Sequence, residues 1–126
     1  MITGLDHVHL ICGDVEEAVK YFKKVFDGRE ISRGEVRGYP MIRMDVQGVP
    51  INVMGTDAQA GRLAPGKGDR GLDHFGFRVK ELEKTVEDLK RRGAKFSIGP
   101  SVSSAGVKYA FVEGPETIRI ELVERD

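Results

Sequence analysis

Gly4-Leu5-Asp6-His7 recurs 67 residues later (71 − 4) as Gly71-Leu72-Asp73-His74. The residues after the two copies match in kind. Val8, Leu10 and Cys12 alternate after the first, and Phe75, Phe77 and Val79 after the second. A period of two reads as a half-buried strand. A helical pattern comes next in both. Val15, Ala18, Val19, Phe22 and Phe26 form one apolar stripe, and Leu82, Thr85, Val86 and Leu89 repeat its early spacing. Asp14, with Glu17 three residues on, is a capping box for the first helix, and nothing comparable stands at Lys80. Gly28 and Gly93 are expected to end the two helices in the left-handed conformation. Short strands are expected at 29–36, 41–47 and 50–54 in the first copy and at 95–98, 107–113 and 117–123 in the second. Tight turns are expected at Gly34, Gly38, Gly48 and Gly114. Each copy is therefore strand–helix–three strands.

A unit of about 60 residues buries too little surface to be secure alone. Two such units sharing a sheet would solve the problem. The expected fold is α+β: two βαβββ modules forming a curved mixed sheet around a central cavity, helices outside. The 126 residues are expected to form a single domain. Module 1 covers about 1–55 and module 2 about 71–126. The glycine-rich stretch between, about 56–70, reads as a linker.

Composition narrows the function. Twenty basic residues balance twenty acidic ones. That argues against nucleic acid as a partner, since phosphate neutralisation needs a basic surface. No apolar run approaches a membrane span, and the N-terminus lacks a signal-peptide pattern. A single cysteine, Cys12, makes a reducing cytoplasm the default expectation.

If the apolar strand residues face the helices, their alternates face the cavity. His7 and His9 then share the inward face. So do His74, Gly76 and Arg78, then Arg119 and Glu121, and Asn52 with Met54. Aligning the closing strands puts Asn52 opposite Glu121. A pseudo-twofold would bring His7, His74, Glu121 and Asn52 toward one point. Two imidazoles and a carboxylate are a transition-metal ligand set. His7 and His9 could together reach one ion, but the counterpart of His9 is glycine, Gly76, so His9 reads rather as a residue that supports a ligand or contacts the substrate. Arg43 and Asp45 alternate with Ile42, Met44 and Val46. They would either meet an anionic substrate or pair with each other at the rim. Tyr109 and Phe111 would wall the pocket.

At these residues the chain resembles the vicinal oxygen chelate superfamily, which includes glyoxalase I, methylmalonyl-CoA epimerase, extradiol dioxygenases and fosfomycin-resistance thiol transferases. The resemblance lies in Leu5-Asp6-His7-Val8 running into Asp14–Phe22, in Gly71–Val79, and in Phe111–Glu124. It implies His7, His74 and Glu121 as ligands of one divalent transition metal: iron, nickel, cobalt, zinc or manganese. Glu121 and His9 are the catalytic candidates. Asn52, Arg43, Arg78 and Tyr109 are the substrate-binding candidates. Glyoxalase I has a glutamate where this chain has Asn52, whereas the epimerases use an amide at about this place. The implied activity is lyase or isomerase chemistry on a small substrate with two vicinal oxygens, through a metal-stabilised enolate. The alternatives are an iron(II) extradiol-type dioxygenase and a non-catalytic ligand binder of the bleomycin-resistance type. A small-molecule substrate and a homodimer are the partners the resemblance implies.

Overall fold

The structure, a computed structural model, describes residues 1, 3–61, 70 and 72–125. Two compact units divide the chain, Met1–Gly61 and Arg62–Asp126. The first runs β1 (Val8–Ile11), α1 (Val15–Phe26), β2 (Arg29–Val36), β3 (Tyr39–Val46) and β4 (Val49–Met54). The second runs β5 (Phe75–Val79), α2 (Leu82–Arg91), β6 (Phe96–Val102), β7 (Lys108–Glu113) and β8 (Arg119–Glu124). Each is a βαβββ module. Each forms a four-stranded mixed sheet, ordered β1-β4-β3-β2 and β5-β8-β7-β6. The first strand pairs in parallel with the last, and the other pairings are antiparallel. Of the expected linker, residues 62–69 lie outside the described residues, as does Gly71 of the repeated tetrapeptide.

The helix-facing side of each sheet carries the core. In the first unit, Leu10, Ile42, Met44, Val46, Ile51 and Val53 meet Val15, Ala18, Val19, Phe22 and Val25 of α1, all buried. In the second, Ala110, Val112, Ile120 and Leu122 play that part against Leu82, Val86 and Leu89. The large apolar area removed from water there is what holds each helix on its sheet. No described helix is long and apolar enough to cross a membrane.

The helix ends show what local sequence decides. Asp14 accepts a hydrogen bond from the Glu17 backbone N–H at 3.1 Å, as its capping box predicts. α2 has no local side-chain cap. Its first orphan donor, the Leu82 N–H, is met instead by Glu124 Oε2 from β8 at 2.9 Å. At the other end of α1, Asp27 and not Gly28 takes the left-handed conformation, with φ 56°. Gly28 serves a different need. A Cβ there would stand 3.0 Å from the Phe22 carbonyl oxygen and 3.3 Å from the Met44 methyl. Gly93 does carry positive φ, at 95°. The expected turn at Gly34 is also corrected. Gly34 lies within β2, paired with Met41, and the hairpin turns at Arg37-Gly38. Both Arg37-Gly38 and Gln47-Gly48 have two successive positive φ angles, the geometry that two-residue hairpins favour.

Candidate metal-binding and substrate-facing residues

Strand register places the polar residues on the sheet faces opposite the helices. In the first unit one transverse row reads His9, Asn52, Arg43, Ser32 across β1, β4, β3 and β2. In the second the corresponding row reads Gly76, Glu121, Phe111, Ile98. Asn52 and Glu121 thus hold equivalent places in their modules. Arg78, Val123, Tyr109 and Ser101 form the next row.

His7 and His74 each stand immediately before the first strand of a module. Each ring is tied through Nδ1 to the preceding aspartate. His7 Nδ1 lies 2.8 Å from Asp6 Oδ2, and His74 Nδ1 lies 2.7 Å from Asp73 Oδ2. A carboxylate on Nδ1 favours the tautomer with its proton there, which leaves Nε2 as the free lone pair. Metal-ligating histidines are held in this way. The Asp6 carboxyl is pushed below the usual range, first by its hydrogen bond to His7, with Arg43 adding a smaller effect.

In the second unit His74 Nε2 and Glu121 Oε1 are 3.7 Å apart. Donors each about 2.1 Å from one ion stand roughly 3.4 Å apart at a tetrahedral angle. A small side-chain rotation would therefore let both reach the same cation. Gly76 gives this carboxylate its room. A Cβ at that position would lie 3.3 Å from the Glu121 carbonyl oxygen and 3.6 Å from Oε1. The Phe111 ring packs against the imidazole in a T-shaped pair, with ring centroids 5.0 Å apart. Arg119 stacks on Phe111, its guanidinium carbon 4.2 Å from the ring centroid. Its Nη1 donates to Asp73 Oδ2 at 2.6 Å. One aspartate oxygen therefore holds both His74 and Arg119.

The first unit uses its row differently. Asn52 is only 4% exposed. Its Oδ1 accepts from Arg43 Nε at 3.2 Å. An Arg43–Asp45 pair does not form. Asp45 binds Arg29 at 2.9 Å and caps the Gly48 N–H. His9 is exposed and lies beside Asn52 in register. In the second unit Arg78 is exposed and Tyr109 half-buried, its ring 6.0 Å from that of Phe111.

The structure thus brings His74 to Glu121, and His9 and Arg43 to Asn52. Among the described residues, no group of three His, Cys, Asp or Glu side chains is gathered about one point. Reading strands for inward residues passes over Asp6 and Asp73, because both precede the strands. Their signal is their place inside the repeated tetrapeptide. Arg119 is legible as an inward residue, but its partner is visible only in three dimensions.

Comparison with known proteins agrees with this architecture. Residues 4–122 match the family model of the Glyoxalase/Bleomycin resistance protein/Dioxygenase superfamily. A probable chloroplastic lactoylglutathione lyase of Arabidopsis thaliana is 41% identical over 56 residues, spanning 44% of this chain and 16% of that protein. The chain therefore matches only a small part of that relative's length. A glyoxalase family protein from Enterococcus faecalis superposes with a TM-score of 0.84 at 17% identity, over 96% of this chain and 97% of that one. FosX, a genomically encoded fosfomycin resistance protein from Listeria monocytogenes, complexed with Mn(II) and sulfate, superposes with a TM-score of 0.73 at 19% identity, covering 100% and 95%. At such identities the solved structures speak for the fold alone, and the family model carries the assignment. With a match across nearly the whole chain, this protein belongs to the Glyoxalase/Bleomycin resistance protein/Dioxygenase superfamily.

Proposed function

We propose that this protein is a divalent-metal-dependent enzyme of the lyase or isomerase type, acting on a small substrate with two vicinal oxygens. The observation that carries the reading is the His74–Glu121 pair, 3.7 Å apart, with the Nδ1 of His74 already held by Asp73. An imidazole with its lone pair presented and a neighbouring carboxylate suit zinc, iron, nickel, cobalt or manganese. His7, held in the same manner by Asp6, is the third ligand in this reading. The superfamily match supports it, as does the FosX neighbour that carries Mn(II).

When bound, a divalent ion there would supply Lewis-acid stabilisation of negative charge developing on the substrate oxygens, which lowers the pKa of the adjacent C–H. The chain's own residues supply the rest. Glu121 contributes ligand charge and is one proton acceptor. His9, exposed and beside Asn52, is the second group able to move a proton. Asn52, Arg43, Arg78 and Tyr109 orient the substrate from the same sheet faces. Cytoplasmic location and a homodimer accompany this proposal.

The test is metal titration of protein purified without an affinity tag. His7→Ala, His74→Ala and Glu121→Ala should each weaken divalent-metal affinity by about 100-fold or more, since each deletes one protein ligand. Circular dichroism of the metal-free variants checks that they fold. Wild-type affinity in all three would overturn the assignment.

A further inference from the structure

The geometry points to a subsite for an oxyanion, a carboxylate or phosphonate arm of the substrate, built from Arg43, Asn52 and His9 on the sheet face of the first unit. The inference rests on reading that face as substrate-facing, and it names the class of group bound there. Three features carry it. The first is the choice of partner. Asp45, two residues away on the same face of β3, is engaged by Arg29 at 2.9 Å and by the Gly48 N–H. Arg43 is thereby left out of the ion pair that its sequence neighbour would suggest. The second is orientation. Arg43 Nε donates to Asn52 Oδ1 at 3.2 Å, and Asn52 is almost fully buried. An exposed guanidinium is thus held by a buried amide. Its Nη1 and Nη2 make no hydrogen bond or ion pair among the described residues. Those two nitrogens form the fork that meets two oxygens of an anion. The third is the neighbourhood. The Asn52 amide nitrogen and the His9 ring have no hydrogen-bond partner among the described residues, and both belong to the transverse row that holds Arg43.

Donors therefore dominate this row. Asp6, an opposing charge that feels Arg43, keeps its hydrogen bond to His7. Because the guanidinium is already oriented, little side-chain freedom remains to be lost on binding. The equivalent row of the second unit holds Phe111 where the first holds Arg43, and Glu121 where the first holds Asn52. The row of the second module thus presents a carboxylate where that of the first presents an amide and a guanidinium.

Metal-free protein suffices for the test, so its outcome is independent of the metal-site titration. Full-length protein is titrated with methylphosphonate and, separately, with acetate at low ionic strength, with acetamide as the uncharged control. Nitrogen–proton correlation spectra report the side-chain Nε–H of each arginine and the Asn52 amide. The expected result is saturable shifts at Arg43 Nε and Asn52 Nδ2 with at least one anion, and none with acetamide. Arg43→Lys keeps the charge but loses the fork, and should weaken the binding about tenfold. Arg43→Met should abolish saturation. Both substitutions are at an exposed position, and Asn52 is used only as a reporter. Saturation by methylphosphonate alone assigns a phosphonate-type arm, and saturation by acetate alone a carboxylate. Non-saturating shifts of equal size at Arg29 and Arg33, or no response at Arg43 to either anion, would overturn the proposal.

Discussion

Asp73→Asn tests whether the aspartate before each histidine sets up a metal ligand. The substitution is nearly isosteric and removes one negative charge. Asp73 Oδ2 accepts from His74 Nδ1 at 2.7 Å and from Arg119 Nη1 at 2.6 Å. Both bonds have a charged acceptor, which makes them roughly twice as strong as neutral ones. An asparagine oxygen turned to the same place can still accept, but without charge. Turned the other way, its NH2 would confront the Arg119 donor. Outer partners of metal-bound histidines typically contribute about 10–100-fold to affinity, or ~1.4–2.7 kcal/mol. Serving two donors from one oxygen puts Asp73 in the upper half of that range. Asp6 makes a single such bond, and its side chain is 93% exposed. Water can replace it, so Asp6→Asn should weaken binding by less than about 10-fold. The assay is competitive titration with Mn(II) and Zn(II) at fixed pH. Thermal unfolding of the metal-free proteins checks that the exposed substitutions leave the fold intact. Equal losses in the two variants, or wild-type affinity in Asp73→Asn, would refute the reasoning.

Two further predictions concern the scaffold. Gly28→Ala should destabilise by about 1–2 kcal/mol in urea unfolding, because the new methyl meets the Phe22 carbonyl, a backbone atom that cannot step aside cheaply; unchanged stability would mean that β2 shifts freely against α1. The Glu30 carboxyl is held below its usual range, first by its hydrogen bond to Arg33, so this contribution is present above the ordinary carboxylate pKa and fades as pH falls through the lowered value. Arg33→Met should return the Glu30 midpoint in an NMR pH titration toward the ordinary value and remove that acid-limb contribution; an unchanged midpoint would locate the cause elsewhere.

Much of the module plan is written in local pattern. The period-two runs around Leu10 and Phe77, the 3.6-residue stripe from Val15 to Phe26, and the Asp14–Glu17 box act over a few residues, so they can be read along the chain. The repeated Gly-Leu-Asp-His marks where each module starts. The equivalence of Asn52 and Glu121 is legible too, because alternation in a strand assigns a face once its apolar members are known.

Other features depend on which strands become neighbours. Sequence proximity pairs Arg43 with Asp45, but register sets Arg43 beside Asn52 and Asp45 beside Arg29. Asp73 and Arg119 are 46 residues apart, and the parallel pairing of β5 with β8 brings them together. Glu124 caps α2 from 42 residues away for the same reason. Asp27 takes the left-handed conformation, and Gly28 answers a different demand, the close approach of the Phe22 carbonyl and of the Met44 methyl from a strand remote in sequence. Composition and periodicity determined which residues face the helices and which face away. Tertiary structure decided which of the outward-facing polar groups share a hydrogen bond, since that depends on distances between strands remote in sequence.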